Sequence, residues 1–206
     1  LLIAPASPLY LSRASALEGK KNFRGAIDDY TAAIALETHT TSQAGLHQTR
    51  GRIYWELKEF DKAIEDYTKS IQLSPGSSTA YYNRGVARMY KKELRRAIED
   101  YNRAIELDPN YIVALYFRGR CSLSLGDADK AIADLTRAIE IDPKFTEYFY
   151  SEALARLPLG DARATKGDYL GAIAEWKRAL ELSPALKVEL LPRIERAEKR
   201  LKEKGL

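Results

Sequence analysis

The sequence predicts an all-α solenoid built from antiparallel helix pairs. Three observations predict it. First, the phrase AIEDYNRAIELDPN at 97–110 returns as AIEDYTKSIQLSPG at 63–76 and AIADLTRAIEIDPK at 131–144, with weaker copies from Ala26 and Ala172. Second, small and large side chains alternate in each copy at spacings of four and three, which share one helical face. Third, a glycine recurs twelve residues before three of the copies, at Gly51, Gly85 and Gly119. A unit repeated at such intervals buries its apolar face against its neighbours rather than at one centre.

The chain begins with an apolar extension, residues 1–6, LLIAPA. We read it as a segment packed on the first helix of a cytoplasmic chain. The small residues of APA after Leu1, Leu2 and Ile3 leave a second reading, export or membrane association through LLIAPAS. Five repeats then occupy 7–186. The first, 7–40, carries Ala14 at the glycine place and Ala26, Tyr30, Ala33 and Leu36 on its second helix. TSQ at 41–43 is inserted before the second, 44–77, which carries Gly51, Ala63, Tyr67, Ser70 and Leu73. The third, 78–111, repeats the pattern with Gly85, Ala97, Tyr101, Ala104 and Leu107. The fourth, 112–145, has Gly119, Ala131, Leu135, Ala138 and Ile141.

TEYFYSE at 146–152 precedes the fifth repeat, 153–186, in which Gly160, Ala172, Trp176, Ala179 and Leu182 take these places and Pro158 makes the first helix irregular. Pro75, Pro109, Pro143 and Pro184 stand where a second helix must stop. Short segments such as KEF, KEL and GDA turn the chain within a pair. A glycine inside a helix costs about 1 kcal/mol against alanine, so its return at one place implies a contact too close for a β-carbon. Residues 187–206 form a capping helix. Leu186, Leu190, Leu191, Ile194, Ala197 and Leu201 mark its packing face, and charges of both signs fill the rest.

Tyr81, Gly85, Ala97, Tyr101, Ala104 and Pro109 carry a pattern that resembles the tetratricopeptide repeat. The resemblance implies a right-handed superhelix of helix pairs with a concave groove lined by the first helix of each pair. It also implies function through protein or peptide partners. One departure recurs. Arg13, Arg50, Arg84 and Arg118 replace a large apolar residue, and the same copies carry Asp29, Asp66, Asp100 and Asp134. A guanidinium fork fits a carboxylate, so we expect four structural pairs linking helices within or between repeats. The fifth copy has Leu159 and Glu175 instead.

From the repeat register, the expected groove residues are Gln48, Arg52 and Trp55, then Tyr82, Val86 and Met89, then Tyr116, Arg120 and Leu123. Trp55 and Met89 are expected as exposed apolar lining. Phe145, Tyr148, Phe149 and Tyr150 form a secondary aromatic patch, either partner-binding or packed on a longer helix. Chaperone-binding members of the family hold a carboxylate with Lys, Asn and Arg. Here Leu11 or Gln48, Ser15 or Arg52, Asn83, Val113 and Phe117 fall at those places, and only Asn83 fits. No Hsp70 or Hsp90 cochaperone is therefore expected.

The 206 residues hold 33 Lys and Arg, 29 Asp and Glu, two histidines and one cysteine. Cys121 sits at a small packing position, and His47 takes the place of Tyr81. No metal spacing or phosphate loop occurs, so no enzyme, cofactor or metal is expected. RMYKKELRR at 88–96, with Lys20, Lys21 and Arg24, gives a basic edge interrupted by acids. A non-enzymatic scaffold is thus the reading. A structural subunit of a larger complex, or basic-edge binding to nucleic acid or an anionic membrane, is the alternative.

Overall fold

Short turns with a left-handed residue fold the chain back on itself inside each helix pair. A computed structural model describes residues 7–142 and 152–205. The extension 1–6, the segment 143–151 with its four aromatic residues, and Leu206 lie outside the described residues. The described residues form two compact units, within 1–108 and 109–206. The first contains α1 (Ser7–Gly19), α2 (Phe23–Leu36), α3 (Thr40–Glu56), α4 (Phe60–Leu73), α5 (Ser78–Tyr90) and α6 (Leu94–Leu107). The second contains α7 (Ile112–Ser124), α8 (Ala128–Ile141), α9 (Glu152–Thr165), α10 (Tyr169–Leu182), a 3-10 turn at Pro184–Leu186 and α11 (Lys187–Glu203). No strand occurs among the described residues.

In the first three pairs the turn residue is a lysine with positive φ: Lys21 at 59°, Lys58 at 61° and Lys92 at 65°. The last two pairs use Gly126 at 85° and Gly167 at 80°. A side chain in this region costs about 1–2 kcal/mol, which glycine avoids. In the first, fourth and fifth pairs the side chain of the next residue caps the second helix. Asn22, Asp127 and Asp168 accept from the backbone N–H of Gly25, Lys130 and Gly171.

Consecutive helices pack as pairs, and pairs pack on pairs inside each unit: α2 on α3 and α4 on α5, then α8 on α9 and α10 on α11. The aligned alanines Ala26, Ala63, Ala97, Ala131 and Ala172 are fully buried, as is Tyr101, and Leu135 and Trp176 are buried at the equivalent place. Leu190, Ile194, Ala197 and Leu201 join α11 to Ala172, Ile173, Trp176 and Ala179 of α10.

The inserted residues 41–43 fall in the first turn of α3, which runs 17 residues against 13 for α5 and α7. The row that starts with Leu36 and ends with Leu182 is not core at its ends, where these side chains are 50% and 40% exposed. Pro158 is buried inside α9, which continues through it. Among the described residues no helix is long and apolar enough to cross a membrane.

Candidate functional site

Burial of a carboxylate demands a partner, and the repeat supplies one sixteen residues upstream. Arg13 bonds both oxygens of Asp29 at 2.7 and 2.5 Å. Arg50 holds Asp66 at 2.8 and 2.7 Å, and Arg118 holds Asp134 at 2.8 and 2.6 Å. Arg84 reaches Asp100 at 2.7 Å, and Arg88 adds a second guanidinium at 2.9 Å. All four expected pairs form, each bridging the two helices of one repeat. The remaining N–H of Arg50 donates to Thr31 of the preceding repeat at 2.8 Å, and that of Arg84 to Thr68 at 3.1 Å. One side chain thus ties both a pair and its neighbour.

His47 also bonds Asp66, at 2.8 Å. Burial opposes ionisation of Asp66, but the hydrogen bonds and charge of Arg50 and His47 hold its carboxyl below the usual aspartate range. In the fifth repeat Glu175 draws Arg156 at 2.5 Å and Arg163 at 3.7 Å, from one turn before and one turn after the usual arginine place. These arginines are structural groups with partners, not free anion ligands.

The expected groove residues divide between the two units. On α3, Arg52 is exposed and pairs with Glu18 of α1, while Gln48 and Trp55 are half-buried. The Gln48 Nε2 and Trp55 Nε1 donors are buried and meet no acceptor. Trp55 is not the exposed lining expected of it. It packs edge-on against Tyr90, with ring centres 5.5 Å apart, and Phe60 stacks on the same ring at 5.4 Å. On α5, Tyr82, Val86 and Met89 are half-buried, and the Tyr82 ring lies 6.2 Å from Tyr101. On α7, Arg120 is exposed and Leu123 half-buried, but Tyr116 is only 4% exposed. Tyr116 is therefore a packing residue, with the Arg120 guanidinium 5.5 Å over its ring. Tyr90, 53% exposed, is a surface aromatic that sequence reasoning missed. Its place in the repeat gave no signal, because only its neighbours Trp55 and Phe60 make it part of a cluster.

Among the described residues no group of three or more His, Cys, Asp or Glu could hold a metal. Cys121 is 1% exposed, and burial pushes its thiol up to about 11, Arg120 opposing weakly. A thiol held protonated is a poor nucleophile.

Comparison with known proteins agrees with this architecture. Models described as tetratricopeptide repeat match residues 78–111 and 112–145, and one described as TPR repeat matches 51–92. A crystal structure of MamA superposes with a TM-score of 0.73 at 30% identity, over 82% of this chain and 92% of that one. The first TPR of Spaghetti (RPAP3), solved bound to the HSP90 peptide SRMEEVD, superposes at 0.56 and 25% identity, over 62% of this chain and 95% of that one. Photosystem I assembly protein Ycf3 of Acaryochloris marina is 33% identical over 70 residues, 34% of this chain and 42% of that protein. The chain thus spans less than half the length of this relative. The chain belongs to the tetratricopeptide repeat family, whose members mediate protein–protein interaction and complex assembly.

Proposed function

We propose that the chain is a non-enzymatic scaffold that holds a peptide or helix of a partner against the inner faces of its first helices. The observation that carries this reading is on α3. Gln48 and Trp55 stand on one stripe with exposed Arg52 between them, and each keeps an N–H donor without an acceptor. A buried donor left unmet costs about 1–3 kcal/mol, recovered if docking turns the side chain out toward a partner's carbonyl or carboxylate. Tyr82, Val86 and Met89 of α5 add an apolar lane in the same unit, and Arg120 and Leu123 of α7 offer the matching face in the other. The peptide held by the Spaghetti domain supports the mode of binding. Its sequence is not carried over, because of the carboxylate-holding places only Asn83 has the fitting residue.

A second reading is a structural subunit, favoured by the Trp55, Phe60 and Tyr90 cluster at one end of α3 and α5 and in keeping with the assembly role in the name of Ycf3. One experiment separates the two. A partner is identified by capture from the native source and mass spectrometry, then purified and titrated. Arg52→Glu with Tyr82→Ala is expected to weaken binding more than about tenfold, the loss of one good anchor. Lys69→Ala with Arg103→Ala, on the second helices, is expected to leave it unchanged. The reverse result would remove the groove reading, and loss only with Tyr90→Ala would favour the subunit.

A further inference from the structure

A cavity of about 370 Å³ opens within the second unit, between α9, α10 and α11. Asp161, Tyr169, Trp176, Arg193, Arg196 and Arg200 line it. Its geometry follows from packing. Leu190, Ile194, Ala197 and Leu201 are buried against α10. That contact sets the rotation of α11, and the arginines at spacings of three and four then share the adjacent stripe. Three guanidiniums so converge on a wall that holds a single carboxylate, Asp161.

The three arginines are not equally engaged. Arg193 is satisfied by Asp161 at 3.1 Å and by Glu189 at 3.1 Å. Among the described residues Arg200 meets Glu203 alone, at 3.4 Å, with both side chains well exposed. Arg196 donates from Nε to the carbonyl of Pro192 at 2.9 Å and has no carboxylate partner among the described residues. Arg196 thus offers its terminal N–H groups to a carboxylate, and Arg200 could add to them by leaving its exposed contact with Glu203. Ala164, Thr165, Tyr169, Trp176 and Ala197 complete the lining. Trp176 is 3% exposed and donates its N–H to the Leu157 carbonyl, and the Lys204 Nζ lies 4.9 Å from the centre of the half-buried Tyr169 ring. Burial raises the carboxyl of Asp161 despite Arg193 beside it, as in a partly dehydrated site where charges are felt strongly.

We propose that this cavity binds an acidic segment of a partner protein, with a side-chain carboxylate held by Arg196 and Arg200 and an adjacent apolar side chain set against Tyr169. Charge complementarity selects the acid, and the aromatic wall selects a peptide that places an apolar group beside it. Asp161 disfavours a doubly charged phosphate more than a single carboxylate, which argues against a lipid headgroup or nucleic acid. By repeat register Asp161 and Ala164 hold the places of Arg52 and Trp55, so the cavity lies on the fifth repeat's own stripe and this inference rests on the groove reading.

The test uses the full chain and a fluorescein-labelled nonapeptide of three Glu-Glu-Tyr repeats, followed by fluorescence anisotropy. The matching peptide of Gln-Gln-Tyr repeats is the neutral comparison. The acidic peptide is expected to bind at least about tenfold tighter, one good charged contact. Arg196→Gln with Arg200→Gln is expected to abolish that preference. Lys187→Gln with Lys199→Gln, exposed residues of the same helix that do not line the cavity, removes equal charge and is expected to retain it. Both arginines are exposed, so the variant is expected to keep its helical circular dichroism, and Arg196→Lys with Arg200→Lys should restore part of the binding. Equal loss in the two Gln pairs would reduce the effect to general charge and overturn the proposal. So would equal binding of both peptides, or arginine-dependent binding of phosphatidylserine vesicles without binding of the peptide.

Discussion

A methyl group added to Gly85 would stand 2.7 Å from a ring carbon of Tyr101. Tyr101 is fully buried, so its ring has nowhere to move. Gly85→Ala should therefore destabilise the protein by about 1–3 kcal/mol, despite the helix propensity it gains. Gly45, inside α3, has nothing within 4 Å of an added β-carbon. Gly45→Ala should stabilise by about 0.5–1 kcal/mol. Thermal melts of the two variants check both signs, and a shift in the same direction would contradict the close approach.

Ion pairs of this chain should differ in strength with their burial. The Arg103 and Glu106 side chains are 47% and 62% exposed, whereas Arg118 is 24% and Asp134 9% exposed. Arg103→Ala should cost no more than about 1 kcal/mol, as for surface pairs. Arg118→Ala leaves a buried carboxylate behind and should cost about 3 kcal/mol or more. Chemical denaturation of both variants provides the comparison, and equal losses would show that burial does not set the worth of the pair.

Acid should act through Asp66. Its carboxyl is held below the usual range in the fold. A depressed acid stabilises above its unfolded value of about 3.9, and that contribution is lost as pH falls from there to the lower folded value. Asp66→Asn should lower the denaturation midpoint at pH 7, and the gap to the parent chain should narrow as pH is taken below about 4. A gap that stays constant from neutral to acid pH would show that Asp66 acts by shape rather than charge.

The turn lysines hold a conformation that favours glycine, with φ of 65° at Lys92. Lys92→Gly should raise stability by up to about 1 kcal/mol, the relief of left-handed strain partly offset by a freer unfolded chain. Lys92→Ala keeps the strain and should stay within about 0.5 kcal/mol of the parent. Differential scanning calorimetry of the two variants measures the contrast. A lower melting temperature for the glycine variant would mean that the lysine side chain holds the turn.

Residue order alone was sufficient for the helix pairs, the fold class, the glycine contacts and the four arginine–aspartate pairs. Each is a local relation, set by a spacing of three, four, twelve or sixteen residues that returns from copy to copy. Where the pattern lapsed, spacing no longer specified the partner. Glu175 lacks an arginine at the usual place, and only the folded repeat brings Arg156 and Arg163 to it. Likewise, periodicity assigned Tyr116 and Trp55 to a surface stripe. Neighbouring helices then buried the first and set the second against Tyr90. The arginine-lined cavity beneath α11 belongs to the same class of fact. A sequence marks which face of a helix is apolar, but exposure depends on what that face and its borders meet, and those neighbours are chosen by packing between elements far apart in the chain.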